Sequence, residues 1–218
     1  MKKEYRLKTK EYYAQQAKVY STKTVSWRLQ LIDKYNSNDK KIVDLGCGTG
    51  NYLLALRNKN VSGIDLSKES IAKLKSRKEY EDSKNNINLV VGDLCNLPFK
   101  RDEFDISFSF STLYYVKEIA KVIGEISRIT KKNGVSILEF GNKISINSFW
   151  DRVMFSVPQF HWSKKYIRFL MEKNGFEILE IRYRNLIPDF YKLFDKKFIK
   201  NRFLQKFCFR MIFIIRKK

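Results

Sequence analysis

Three glycines in five residues follow an apolar run and its acid in VDLGCGTGN, residues 43–51. Such a turn lets backbone approach a ligand closely, because glycine has no Cβ and tolerates positive φ. Binding of a nucleotide-like cofactor is the chemistry this suits. Gly46, Gly48 and Gly50 spell G-x-G-x-G, and Asn51 stands where the dinucleotide fingerprint G-x-G-x-x-G has its third glycine. No Gly-Lys-Ser/Thr follows to hold phosphates and magnesium, which excludes the Walker pattern. Acids recur after later apolar runs. Asp65 closes VSGIDLS (61–67) about twenty residues beyond Asp44, the distance at which an α/β unit sets a carboxylate against ribose hydroxyls. Asp93 lies just past the apolar part of INLVVGDLCNLPF (87–99), and FDISFSFSTLYYV (104–116) supplies a fourth strand end at the same site.

Those ends need a sheet to align them. Helical periodicity covers about 9–20 and 24–35, strand one is expected at 41–45, and further helices are expected from Gly50, Lys68, Lys117 and Ser163. Strands are expected near Val61, Ile87, Phe104, Val135, Phe176 and Phe209, seven in all. FEILEIRYR and FRMIFIIRKK should form an antiparallel hairpin at the sheet edge. The stretch 185–208 between them is longer than a turn needs and suits a basic, aromatic helix. With 218 residues, 44% hydrophobic, no repeats and no Pro- or Gly-rich linker, one α/β domain is expected, with helices on both faces of a mostly parallel sheet.

From about residue 12 onward, and most clearly over 43–140, the chain resembles the class I S-adenosylmethionine-dependent methyltransferases. The similar group is the broad small-molecule one that includes quinone-biosynthesis enzymes. The resemblance implies a Rossmann-like seven-stranded, mostly parallel sheet with an antiparallel last strand, and S-adenosylmethionine as cofactor. It implies that Gly46, Cys47 and Gly48 lie along the methionyl part, and that Asp44 orients this turn and approaches the ammonium. It further implies that Asp65, with Leu66 beside it, accepts the ribose hydroxyls, that Asp93 and Leu94 hold the adenine amino group, and that the Ser109 carbonyl meets the ammonium. The family's FDVVVSS followed by LHH reads FDISFSF followed by LYYV here, so Tyr114 and Tyr115 replace the histidines. KKNGVSILEF (131–140) matches the family's Lys-Pro-Gly-Gly turn into strand five loosely, with no proline.

A methyl on a sulfonium is already activated, so a protein need mainly hold the acceptor in line at about 3–3.5 Å, exclude water and remove a proton where one is present. No metal is needed for that. Cys47, Cys95 and Cys208 are far apart, no C-x-x-C occurs, and the cysteines read as small buried residues in a reducing cytosol. On this reading 1–40 forms lid helices, 41–141 the cofactor-binding core and 142–162 an acceptor-side segment. Tyr20 is the first candidate to lie over the cofactor, ahead of Tyr12 and Tyr13. His161, the one histidine, suits proton removal near neutrality, and Glu139 is placed to bind an acceptor amine or to stabilise the adjacent loop.

Net charge is +21. Residues 182–218 carry twelve basic against two acidic side chains and residues 1–42 eleven against four, while the centre is nearly balanced. Basic flanks with interleaved Phe and Tyr suit an anionic membrane surface, an anionic substrate or RNA, and a Lys-rich, Asn- and Ile-rich composition accounts for many of the lysines without any function. MKKEYRLK has no apolar h-region, and the run 207–215 is interrupted by Arg210 and far short of the roughly 20 residues that span a membrane. A cytoplasmic protein, soluble or peripheral at a membrane, is expected. Methyl transfer to an O, N or C atom of a small-molecule or lipid-like acceptor is the leading reading. An RNA-modifying enzyme, for example on tRNA, is the second, and a non-catalytic cofactor-binding adaptor the third.

Overall fold

The computed structural model describes residues 26–37, 39–56, 60–82, 86–145, 158–184 and 207–218. Five parallel strands build the centre: β1 (Lys41–Leu45), β2 (Asn60–Asp65), β3 (Ile87–Val91), β4 (Phe104–Ser109) and β5 (Thr130–Asn142). A two-residue strand β6 (His161–Trp162) pairs with the end of β5, and β7 (Phe176–Arg184) and β8 (Arg210–Lys217) complete the order β3-β2-β1-β4-β5-β8-β7. β8 is antiparallel to both its neighbours, as the hairpin pattern requires. Seven strands stand where the sequence placed them; β6 is the addition. The order in which the strands are laid down reverses at β1, with β2 and β3 on one side and β4 onward on the other, and this switch point opens a crevice at the strands' carboxyl ends.

Alternation along each strand sorts the faces. Val43, Leu45, Leu138, Phe140, Met211, Phe213 and Ile215 point one way, into a core covered by α4 (Ile119–Ile129) and α5 (Lys164–Lys173). In α4, Ile119, Val122, Ile123, Ile126 and Ile129 are all buried, the spacing of one helical face, each contributing about 2 kcal/mol of apolar burial. Ile42, Ile106, Phe108, Val135, Ile137, Ile212 and Ile214 point the other way, against Leu31 and Ile32 of α1 (Ser26–Asp33). α2 (Lys68–Lys75) packs Ile71 and Leu74 over Leu53 and Val61, and a single turn, α3 (Lys78–Glu81), follows it.

Caps set several of these starts. The Ser67 hydroxyl accepts from the Ser70 amide at 3.0 Å and the Ser163 hydroxyl from the Tyr166 amide at 3.2 Å, so α2 and α5 begin where the sequence placed them. The helix expected from Gly50 is instead one 3-10 turn, Leu53–Ala55. The reason is length: the glycine turn consumes the chain to Tyr52, and β2 begins at Asn60, too soon for a helix of ordinary length. No described helix is long and apolar enough to cross a membrane, and no three His, Cys, Asp or Glu side chains among the described residues are grouped so as to hold a metal ion. Tyr12, Tyr13 and Tyr20, residues 146–157 of the segment 142–162 and residues 185–206 of the stretch 185–208 lie outside the described residues.

Candidate active site

β2 holds the glycine turn from below: its Ile64 carbonyl accepts from the amides of Gly46 at 2.8 Å and Cys47 at 3.0 Å. Gly46 has φ +83°, and a Cβ there would meet Cγ2, Oγ1 and Cβ of Thr112 at 2.3 to 2.8 Å. Gly48 has φ +53°, and a Cβ there would meet nothing within 4 Å. One glycine is demanded by the protein's own packing; the other faces open space that a ligand can take. Gly46→Ala should therefore lower unfolding stability by about 2–3 kcal/mol in urea titration, through strain and overpacking. Gly48→Ala should cost only about 1 kcal/mol, for its positive φ, and show its effect as weaker cofactor binding. Equal stability losses in the two variants would contradict this division.

Three acids lie at the carboxyl ends of β1, β2 and β3. Asp44, at the end of β1, is 2% exposed, and its Oδ2 is buried with no hydrogen-bond partner. Burial pushes its pKa well above the usual carboxylate range, the nearby Asp65 adds to this, and Arg28 opposes it. A buried acceptor left without a donor costs free energy, so this oxygen suits an incoming ammonium. Asp65 takes the Gly48 amide on Oδ2 at 2.8 Å and the Ser67 amide on Oδ1 at 2.9 Å. Burial raises its pKa and these amides draw it back. Each oxygen keeps a second acceptor lobe, enough for a pair of hydroxyls. Half-buried Leu66 follows it. Asp93 accepts the Cys95 amide on Oδ1 at 2.8 Å, which closes the turn after β3, while Leu94 sends its side chain into the core. Arg128 of α4 braces the same loop through the carbonyls of Leu97 at 2.8 Å and Phe99 at 2.6 Å.

Cys47 is buried, and burial followed by the two acids raises its thiol pKa strongly, so it packs rather than reacts. The Ser109 hydroxyl donates to the Leu45 carbonyl at 2.7 Å, tying β4 to β1. Any contact from Ser109 to a ligand therefore falls to its backbone carbonyl.

Beside the acids lies a cluster that the sequence reading missed. Arg28, from α1, donates to Tyr52 Oη at 2.7 Å, Ser111 Oγ at 3.0 Å and Glu139 Oε2 at 2.6 Å, with its guanidinium centre 5.0 Å from the Phe110 ring and 5.1 Å from that of Trp27. Burial works against its charge, but Glu139 and Tyr52 outweigh this and its pKa is raised overall. Burial also pushes the Tyr52 phenol up to about 12, against the pull of Arg28. Ser111 carries φ +58°, an uncommon conformation that aims the turn after β4 at this cluster. Glu139 is 1% exposed and lies between Arg28 and Arg210, whose Nε stands 3.7 Å from Oε1. The Arg28 guanidinium thus takes one oxygen of Glu139, while Oε1 is buried with no hydrogen-bond partner.

His161, on β6, pairs with Gly141, where a Cβ would meet its Cδ2 at 2.7 Å, and its ring tilts against Phe209 at 5.6 Å. The neighbouring Phe160 amide donates to the Tyr114 carbonyl at 2.6 Å, joining this strip to the turn Leu113–Tyr115. His161 therefore stands at the outer end of the crevice, beyond β4, away from the glycine turn.

Comparison with known proteins agrees with this layout. A family described as a methyltransferase domain matches residues 36–175. A demethylmenaquinone methyltransferase of Geobacillus stearothermophilus is 29% identical over 120 residues, 52% of this chain and 50% of that one. A malonyl-[acyl-carrier protein] O-methyltransferase of Pectobacterium atrosepticum is 28% identical over 118 residues, 52% of this chain and 44% of that one. The chain thus matches about half the length of these curated relatives. Among solved structures, a SAM-dependent methyltransferase of Thermotoga maritima, titled a possible histamine N-methyltransferase, superposes with TM-score 0.65 at 22% identity over 87% of both chains, a likeness of fold. With a matched segment that runs from just before β1 to the end of α5 and contains the glycine turn and all three acids, the chain belongs to the class I S-adenosylmethionine-dependent methyltransferases.

Proposed function

We propose that the protein transfers the methyl group of S-adenosylmethionine to an O, N or C atom of a small-molecule or lipid-like acceptor. The observation that carries this reading is the buried, unpartnered Oδ2 of Asp44 beside the open face of Gly48 and the two-lobed carboxylate of Asp65. The residues fit the cofactor: Asp44 and the Ser109 carbonyl would take the ammonium, Gly46, Cys47 and Gly48 the methionyl chain, Asp65 the ribose, Asp93 and the Leu94 amide the adenine. When bound it supplies an activated methyl group on a sulfonium. The chain's own part is to hold the acceptor, keep water away and accept a proton. Aromatic side chains around Arg28 make the first two tasks physically reasonable. His161 takes the proton where the acceptor carries one, and Tyr20 covers the cofactor.

The basic aromatic stretch 185–208 suits peripheral contact with an anionic membrane, which would bring a lipid-like acceptor within reach. Incubation of the protein with S-adenosylmethionine labelled in the methyl group and a cell extract tests the reading. Label should appear in the small-molecule or lipid fraction, and His161→Ala should slow its appearance while leaving the affinity for S-adenosylhomocysteine unchanged. Label found in RNA would replace the acceptor class, and saturable cofactor binding with no labelled product would leave an adaptor.

A further inference from the structure

Each of the strands that carry the crevice sends alternate residues to the α1 face, and successive rows on that face can be read from the pairing register. Asp44, Phe108, Ile137 and Ile214 form one row. The next row brings Glu139 opposite Ile212, and the row beyond brings His161 and Arg210 to either side of Gly141. Paired residues share a face, so Glu139, His161 and Arg210 all look onto the same patch, with a glycine between the last two.

Arg210 is an unusual side chain for such a position. Its guanidinium lies against two rings, 3.6 Å from the Tyr114 centroid and 3.8 Å from that of Phe209, and only 13% of the side chain is exposed. Its Nη1 is buried with no hydrogen-bond partner, and its ion-pair partner Glu139 is already engaged by Arg28 at 2.6 Å. Among the described residues, the two guanidiniums thus share Glu139 as their ion-pair partner within a largely desolvated patch. A cation in such a patch is costly without an anion beside it.

Resting on the methyltransferase reading, we propose that Arg210 binds an oxyanion of the methyl acceptor, of the carboxylate class, with Glu139 as the positioning residue that fixes the fork between Tyr114 and Phe209. The cofactor's own carboxylate is a poor candidate for this place. Arg210 is three strands across from Asp44, about 14 Å in the plane of the sheet, and two rows further along it, whereas that carboxylate is bonded to the same carbon as the ammonium that Asp44 would take. Tyr114 and Phe209, flanking the cation, favour an acceptor with a flat or apolar body behind the anion. Across Gly141, His161 is then placed to take a proton from the part of the acceptor that receives the methyl group.

The test uses the full chain saturated with S-adenosylhomocysteine, and benzoate against its neutral isostere benzamide as probes, read by calorimetry. Wild type should bind benzoate at least about tenfold more tightly than benzamide, from a charge-assisted fork. Arg210→Gln should lose that preference while its affinity for S-adenosylhomocysteine stays within about twofold, and Arg210→Lys should keep part of it. No preference in wild type, which needs no variant to fold, overturns the proposal, as does a preference that survives in Arg210→Gln. If wild type binds S-adenosylhomocysteine but shows no preference, only the acceptor assignment fails. If it does not bind S-adenosylhomocysteine at all, the cofactor reading fails first.

Discussion

Asp65→Ala should raise the dissociation constant for S-adenosylhomocysteine by at least about a hundredfold. Two charge-assisted hydrogen bonds to ribose hydroxyls disappear, each worth about 1.5–3 kcal/mol. The same substitution removes the acceptor of the Gly48 and Ser67 amides, so the glycine turn loses one of its ties to β2 as the ligand loses its partner. Asp65→Asn keeps one acceptor oxygen and a similar shape, and should fall between wild type and alanine. Isothermal calorimetry checks the series. An alanine variant within threefold of wild type would remove Asp65 from the cofactor site.

The largest effect on stability is expected at Glu139. Among the described residues its carboxylate is the anion between Arg28 and Arg210, and Glu139→Ala leaves Arg28, whose side chain is 14% exposed, without a counter-charge among Trp27, Tyr52 and Phe110. Breaking a buried pair from one side typically costs about 3–5 kcal/mol, because the remaining charge has lost water and partner together. Urea unfolding followed by circular dichroism should show a loss of that order. The double variant Arg28→Met/Glu139→Met should recover most of it, since the desolvation penalty leaves with both charges. A single-variant loss below about 1 kcal/mol would mean that water reaches the pair.

The parts of the fold that were legible in the sequence are those fixed by local signals. An apolar run closed by an acid marks the end of a strand, and Asp44 and Asp65 were found that way; serine before a periodic stretch placed α2 and α5. Glycine-turn geometry was also local, and Gly46 and Gly48 lie where the spacing put them. The 3-10 turn at Leu53–Ala55 differs from the helix expected from Gly50 because too few residues separate the glycine turn from β2 at Asn60. Arg28, Tyr52 and Arg210 were missed for a different reason. Arg28 meets Glu139 across 111 residues, and only the register of β5 against β8 brings Arg210 beside Gly141. One signal was present: Glu139 in ILEF and Arg210 in FRMIF each interrupt an apolar run. A charge in a buried strand requires an opposite charge nearby, and pairing those two interruptions would have pointed to the cluster.

β8 lies inside the sheet, between β5 and β7, although of the described strands it is the last to be synthesised. A nascent chain therefore leaves the ribosome with β5 and β7 each showing a bare edge, a gap one strand wide that any passing extended segment can fill. Closure of that gap and delivery of Arg210 to Glu139 are one event. The polypeptide completes its hydrogen-bonded layer and its anion-reading residue together, so a partly translated molecule has neither.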